Sequence, residues 1–151
     1  MTKQAEMYQL IKRSILPSVL IISCAIAPIA FAQEAVVKVS PKSEPDPLVV
    51  KGTSGGEKNS DCGNISATPS QVIQVTEPLP YLKLQVQSEG EPTLLIEGPG
   101  KRRFCVLADT VAGENPEISG YWEAGKYSLY VGDRAQGQHP YTLSISQQKG
   151  Q

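Results

Sequence analysis

The chain has 151 residues, with 14 basic and 15 acidic side chains, three cysteines and a single histidine. Two of the cysteines lie beyond the apolar start of the chain, and these two, without a C-x-x-C spacing, and the one histidine cannot supply the four soft ligands of a structural zinc site. The near-balanced charge excludes a strongly basic, phosphate-neutralising chain and disfavours nucleic acid as a partner.

Residues 1–32 read as an export signal. Lys3, Lys12 and Arg13 form a basic start, and Met7 would serve as an alternative first residue. Ser14 to Ala32 is apolar and uncharged, and it closes on Ala30-Phe31-Ala32 before polar Gln33-Glu34. That is the small-x-small pattern of signal cleavage. Two other readings use the same residues. A retained anchor is long enough to span a bilayer, but Pro17 and Pro28 interrupt it. Ile21-Ile22-Ser23-Cys24 has the spacing of a lipoprotein box, but apolar residues follow Cys24 where lipoproteins turn polar. Membrane contact is therefore expected only through this segment, uncleaved or lipidated at Cys24. The expected destination is periplasmic or extracellular. Removing Lys3, Lys12, Arg13 and Glu6 leaves 11 basic and 14 acidic residues, a net charge of −3.

Residues 33–60 are rich in Pro, Ser, Gly and charge. Such a stretch buries too little apolar surface to offset its ordering entropy, and its prolines favour extended backbone. It reads as a disordered linker, with Leu48–Val50 as a transient edge strand. The folded domain is expected over 61–147 and a frayed tail over 148–151. Two cysteines remain after cleavage, Cys62 and Cys105. In an exported chain they suggest a disulfide. Closing so long a loop is worth about 4 kcal/mol in the chain-entropy model. Two free thiols are the other reading.

Within the domain the apolar period is two. Gln71–Thr76 is a short strand. Tyr81–Gln87 puts Leu82, Leu84 and Val86 on one face and Lys83, Gln85 and Gln87 on the other. Thr93–Glu97 is more continuously apolar and reads as central. A Gly98-Pro99-Gly100-Lys101 turn leads into Arg103–Leu107. Lys101-Arg102-Arg103 reads as a solvated hairpin end. A loop over 109–116 precedes Ile118–Glu123. Tyr127–Val131 and Tyr141–Ile145 alternate again. Seven short strands with Gly and Pro between them point to an all-β antiparallel two-sheet sandwich, jelly-roll-like, with a barrel as alternative. In Gly120–Asp133, Ile118–Glu123 and Tyr127–Val131 read as a hairpin. Its turn is expected at Glu123–Lys126, with Gly120 and Gly125 shaping the backbone and Trp122 and Tyr127 filling the core.

The run TLLIEGPG, then FC, then NPEISGYWEAGKYSLYVGD and HPYTLSIS resembles secreted bacterial modules of the pre-peptidase C-terminal type and their free-standing periplasmic relatives. The resemblance covers roughly 62–146, and Gly120, Trp122, Gly125 and Tyr127 carry its most specific part. It implies a non-catalytic β-sandwich that sits beside enzymes or stands alone. Some such modules bind Ca²⁺, polysaccharide or matrix protein. Relatives often carry paired acids after the cysteine, whereas here Cys105-Val106-Leu107-Ala108-Asp109 leaves one. Asp109, Glu114 and Asp133, with Glu117 beside them, are the carboxylates left for a Ca²⁺ site that needs six to eight oxygens. Solvated loop carboxylates are the plainer reading, and no cofactor is expected.

No nucleophile motif such as G-x-S-x-G is present, and His139 stands alone before Pro140. The expected function is a small non-catalytic binding or assembly module of the cell envelope. Its partner is an envelope protein or a polysaccharide, with Tyr81, Tyr121 and Tyr130 as candidate sugar-stacking rings.

Overall fold

The computed structural model describes residues 35–109 and 115–149. The export segment expected over 1–32, Cys24 included, lies outside these residues, as does Glu114. Every described residue falls within one compact unit, Ala32–Gln151. It contains strands β1 (Val36–Val39), β2 (Leu48–Thr53), β3 (Lys58–Ser60), β4 (Gly63–Ile65), β5 (Gln71–Val75) and β6 (Leu79–Ser88). After them come β7 (Pro92–Glu97), β8 (Arg103–Leu107), β9 (Glu117–Trp122), β10 (Gly125–Asp133) and β11 (Pro140–Ser146). A single 3-10 turn, Pro99–Lys101, lies between β7 and β8.

The strands form two sheets, so the chain is a β-sandwich. The four-stranded sheet runs β2-β11-β6-β9. In the seven-stranded sheet β10 is central, with β5 and β4 on one side and β7 on the other. β1 extends it beyond β5 in parallel, β3 beyond β4, and β8 beyond β7. The alternation of β6 accounts for its place: Leu82, Leu84 and Val86 are fully buried between the sheets. Each such side chain contributes about 1.5–3 kcal/mol of transfer free energy. Leu94, Ile96, Leu129 and Val131 meet them from the seven-stranded sheet.

Four strands exceed the expected seven, and all precede Ser66. The segment expected to be a disordered linker instead supplies β1, β2 and β3. An edge strand needs one neighbour and one apolar face, so few residues suffice. Val37 and Val39 of β1, and Leu48 and Val50 of β2, turn inward and pack on the core. Their prolines, Pro41, Pro45 and Pro47, fall between the strands, where no ladder bond is lost. The expected frayed tail is also tied down at its start. Gln147 donates from Nε2 to Ser40 O at 2.9 Å and accepts from Lys42 N at 3.1 Å. The Gln148 amide donates to Ser146 Oγ at 3.1 Å.

A second correction concerns Gly120–Asp133. β9 pairs with β6 in one sheet and β10 pairs with β5 and β7 in the other. Glu123-Ala124 is therefore an arch between sheets, not the turn of a hairpin. The period-two pattern fixes which side chains turn inward but not which strand is the neighbour. Trp122 and Tyr127 face each other across the arch, edge to face, with ring centroids 4.8 Å apart. The Trp122 indole donates to Leu82 O at 3.2 Å, and the Tyr127 hydroxyl donates to Glu123 O at 3.0 Å. Burial pushes the Tyr127 phenol above its ordinary pKa. Gly125 has φ 153°, and a Cβ there would lie 2.8 Å from Pro99 Cγ. The Gly-Pro-Gly turn thus packs against the arch, which is why both glycine motifs are needed together.

The seven-stranded sheet has a second apolar face. Leu95 and Tyr130 point away from the main core and are covered by Cys62 and Ile65. The β3–β4 hairpin forms this cover. A disulfide joins Cys62 to Cys105 on β8, with Cα atoms 5.6 Å apart. Thr93 Oγ1 donates to Cys62 O at 2.6 Å beneath it. Replacing both cysteines with alanine should lower unfolding free energy by about 2–4 kcal/mol. Urea unfolding measures this. An unchanged midpoint would mean that the flap holds without its bridge.

Candidate functional site

The most heavily bonded polar group described is Asp133, at the end of β10. Its side chain is fully buried. Oδ1 accepts from Glu91 N at 3.0 Å and from Ala135 N at 2.9 Å. Oδ2 accepts from Ser54 Oγ at 3.0 Å and from His139 Nδ1 at 2.8 Å. A carboxylate accepts only, so Nδ1 carries the proton. Three chain reversals meet here: the β2–β3 loop, the β6–β7 turn and the β10–β11 crossover. Gly90 is required by close approach, since a Cβ there would overlap Asp133 Oδ2 and lie 2.5 Å from His139 Nδ1. Burial raises the Asp133 pKa, but hydrogen bonds from His139, Ser54, Ala135 and Glu91 outweigh it, and the net shift is downward.

Ser54, His139 and Asp133 are the residue types of a hydrolytic triad, but their order in space is wrong for one. In a triad the imidazole stands between serine and carboxylate and takes the serine proton. Here the carboxylate stands between, and Ser54 Oγ donates to it directly. Ser54 is itself fully buried. The cluster is a clamp. Asp133 is equally unsuited to be a loop ligand for Ca²⁺, because both its oxygens are already engaged. Asp109 is exposed. Among the described residues no group of three or more His, Cys, Asp or Glu is arranged to hold a metal.

The three candidate tyrosines do not share a surface. Tyr130 packs on the second apolar cluster of the seven-stranded sheet. Tyr81 and Tyr121 lie on the outer face of the four-stranded sheet. Leu79 pairs with Trp122 and Leu82 with Gly120, so Pro80 and Tyr81 together stand opposite Tyr121. This bulge turns both tyrosines outward between the inward pairs Leu79/Leu82 and Gly120/Trp122. Tyr121 is 63% exposed. Lys149 Nζ lies 5.6 Å from the Tyr81 ring centroid.

The rest of that face is polar and follows the register. Ser146, Lys83 and Ser119 form one row; Val49, Ser144, Gln85 and Glu117 the next; Lys51, Thr142 and Gln87 a third. At the far end an open groove of about 550 Å³ is lined by Lys51, Gln87, Glu89, Asn115 and Thr142. The basic cluster at the β7–β8 turn is committed elsewhere. Arg102 pairs with Glu123, and Arg103 holds Asp61 in a two-pronged bond at 2.8 and 2.5 Å. Hydrogen bonding from Arg103 keeps the Asp61 carboxyl below its ordinary pKa.

No family model matches the chain. An uncharacterised protein of Synechococcus elongatus is 43% identical over 126 residues, which is 81% of this chain and 90% of that protein. The chain belongs to the same family. Among solved structures, the pre-peptidase C-terminal domain of a Bacillus anthracis collagenase superposes with a TM-score of 0.50 at 18% identity. The match covers 76% of this chain and 97% of that domain. The fold is therefore that of a pre-peptidase C-terminal-like module, as the Gly-x-Trp-x-x-Gly-x-Tyr motif implied.

In this module the residues that sequence reading missed are Ser54, Gly90 and Glu91. Ser54 lies in the stretch read as linker, and nothing local marks it as a partner of a residue 79 positions away. His139 carries one signal only, as the sole histidine of the chain.

Asp133→Ala leaves a buried hydroxyl and two amides without their acceptor, and should cost at least about 3 kcal/mol at neutral pH. A depressed carboxylate stabilises above its unfolded pKa, here 3.8, and loses that contribution as pH falls through the lower folded value. The stability gap between wild type and Asp133→Asn should therefore be full at neutral pH and close below about pH 4. Urea titrations at a series of pH values read this directly. A gap that persists undiminished at pH 2 would refute the ionised clamp.

Proposed function

We propose that this protein is an exported, non-catalytic binding module of the cell envelope that holds a carbohydrate chain on the outer face of its four-stranded sheet. The observation that carries this reading is the contrast between the two outer faces. Part of the seven-stranded sheet's outer face is covered by the disulfide-tied β3–β4 flap over Leu95 and Tyr130. The outer face of the four-stranded sheet carries exposed Ser119 and Gln87 and half-buried Gln85, Thr142 and Ser144 among charged side chains, with Tyr81 and Tyr121 side by side at one end. Sugar rings have apolar faces and hydroxyl rims, so a flat surface of aromatics beside short polar side chains matches them on both counts. Export is supported by the disulfide, by the fold, and by the apolar start of the chain. Among the described residues no helix is long and apolar enough to cross a membrane.

A second reading is assembly with another envelope protein along β8. That edge strand exposes Phe104 and Leu107, 46% and 48% accessible, and among the described strands it pairs only with β7. Such an edge accepts an added strand.

Tyr121→Ala and Tyr81→Ala should each weaken binding to purified cell-wall polysaccharide roughly tenfold, about 1.4 kcal/mol. Tyr130→Ala is the control on the other sheet. Affinity electrophoresis is the readout, and Tyr121→Ala should leave stability within about 0.5 kcal/mol because the ring is exposed. Binding that ignores both substitutions, with loss on Phe104→Asp, would favour the β8 reading instead.

A further inference from the structure

The tyrosine end of the open face carries a feature that a neutral sugar would not need. Lys83 lies two residues after Tyr81 on the same outward side of β6, in register with Ser146 and Ser119. Lys149 stands over the Tyr81 ring. Neither lysine forms an ion pair with any described residue. Lys149 is delivered there by an anchored segment. Besides its bonds to Lys42 and Ser40, Gln147 donates from Nε2 to Ser43 Oγ at 3.1 Å, and its amide donates to the Asp46 carboxylate at 3.2 Å. The Gln148 side chain donates to Asp46 O at 3.3 Å.

The nearby carboxylates form no ion pair with either lysine, and Asp46, the one beside the tail, accepts the Gln147 amide. Glu123 is held by Arg102. Glu117 stands diagonally across from Lys83, two residues along β9 from its partner Ser119 and about 7–8 Å away, and no ion pair joins the two. Glu89 borders the groove at the opposite end, and Glu77 precedes β6. In a domain whose net charge after residue 32 is −3, two ammonium groups with no described counter-ion beside two outward aromatic rings are an anion-selective arrangement.

We infer that the ligand is an acidic polysaccharide, and that a sugar carboxylate is read by Lys83 and Lys149 while its ring stacks on Tyr81 and Tyr121. This rests on the carbohydrate reading above and specifies its chemical class. A flexible ammonium is a point charge suited to a carboxylate presented at variable angle, where an arginine fork would demand one geometry. The seven-residue run from Tyr81 to Gln87 covers about 20 Å of strand, so several consecutive rings lie along the face.

Polygalacturonate and its fully methyl-esterified form have the same rings and differ in charge, so they separate stacking from charge reading. The full mature chain should bind the acid form at least about tenfold tighter than the ester, a difference that shrinks in 1 M salt, where screening acts within about 3 Å. Lys83→Gln with Lys149→Gln should erase that preference by lowering acid binding to the level of the ester. A chain ending at Gln148 should lose part of the preference and keep its melting temperature. Equal binding of acid and ester, unaffected by the lysine changes, overturns the acidic-glycan inference and leaves the carbohydrate face standing. Preference for the acid that survives Tyr81→Ala and Tyr121→Ala but not the lysine changes overturns the stacking face. Failure to bind either polymer overturns both.

Discussion

One buried carboxylate closes one end of this sandwich. Asp133 gives up its hydration and recovers it as four hydrogen bonds, and each donor comes from a segment that must reverse direction there. The cost of burying a charge is high unless its lone pairs are filled. The β2–β3 loop, the β6–β7 turn and the β10–β11 crossover are therefore coupled, since displacing any one of them orphans part of the carboxylate. Removing the carboxylate costs more than any one of its bonds is worth, because three segments lose their common acceptor. The other end is closed by different means. There the Trp122–Tyr127 contact and the packing of Gly125 on Pro99 fix the arch between sheets through shape rather than charge.

With both ends fixed, the two outer faces are free to differ. The central strands of the seven-stranded sheet are apolar on both sides, so a second layer is obligatory. The β3–β4 flap is that layer, and a disulfide reinforces it because three-residue strands hold little on their own. The four-stranded sheet buries only its inner face, so it needs no cover. Its exposed side is where surface chemistry varies without touching the core, and the tyrosines and lysines stand there.

The sequence was readable where alternation is long. Leu82, Leu84 and Val86, or Tyr141, Leu143 and Ile145, declare both strand and inward face, and all are buried. It misled where strands are short and flanked by proline. Val36–Val39 vanishes into a window whose average composition is that of a linker, and Leu48–Thr53 shows in it only as the transient edge strand expected at Leu48–Val50. Pairing partners were not legible either. Nothing in Gly120–Asp133 distinguishes a hairpin from an arch, since both need a turn and both turn Trp122 inward. The Asp133 clamp depends on contacts up to 85 residues apart, as between His139 N and Ser54 Oγ, and no local pattern encodes them. The tyrosine face was half legible: three outward rings were expected, and a bulge at Pro80–Tyr81 selects two of them.

The strand order also sets a timetable. Among the described residues β2 pairs only with β11, the last described strand, and β1 pairs only with β5. A chain delivered amino-terminus first must carry Leu48–Thr53 unpaired until Pro140–Ser146 arrives. Gln147 then latches the β1–β2 connection from the far end. Closure of so many long-range contacts is slow. A module built this way cannot complete its four-stranded sheet, or cover the inner face of β2, until Pro140–Ser146 has joined it.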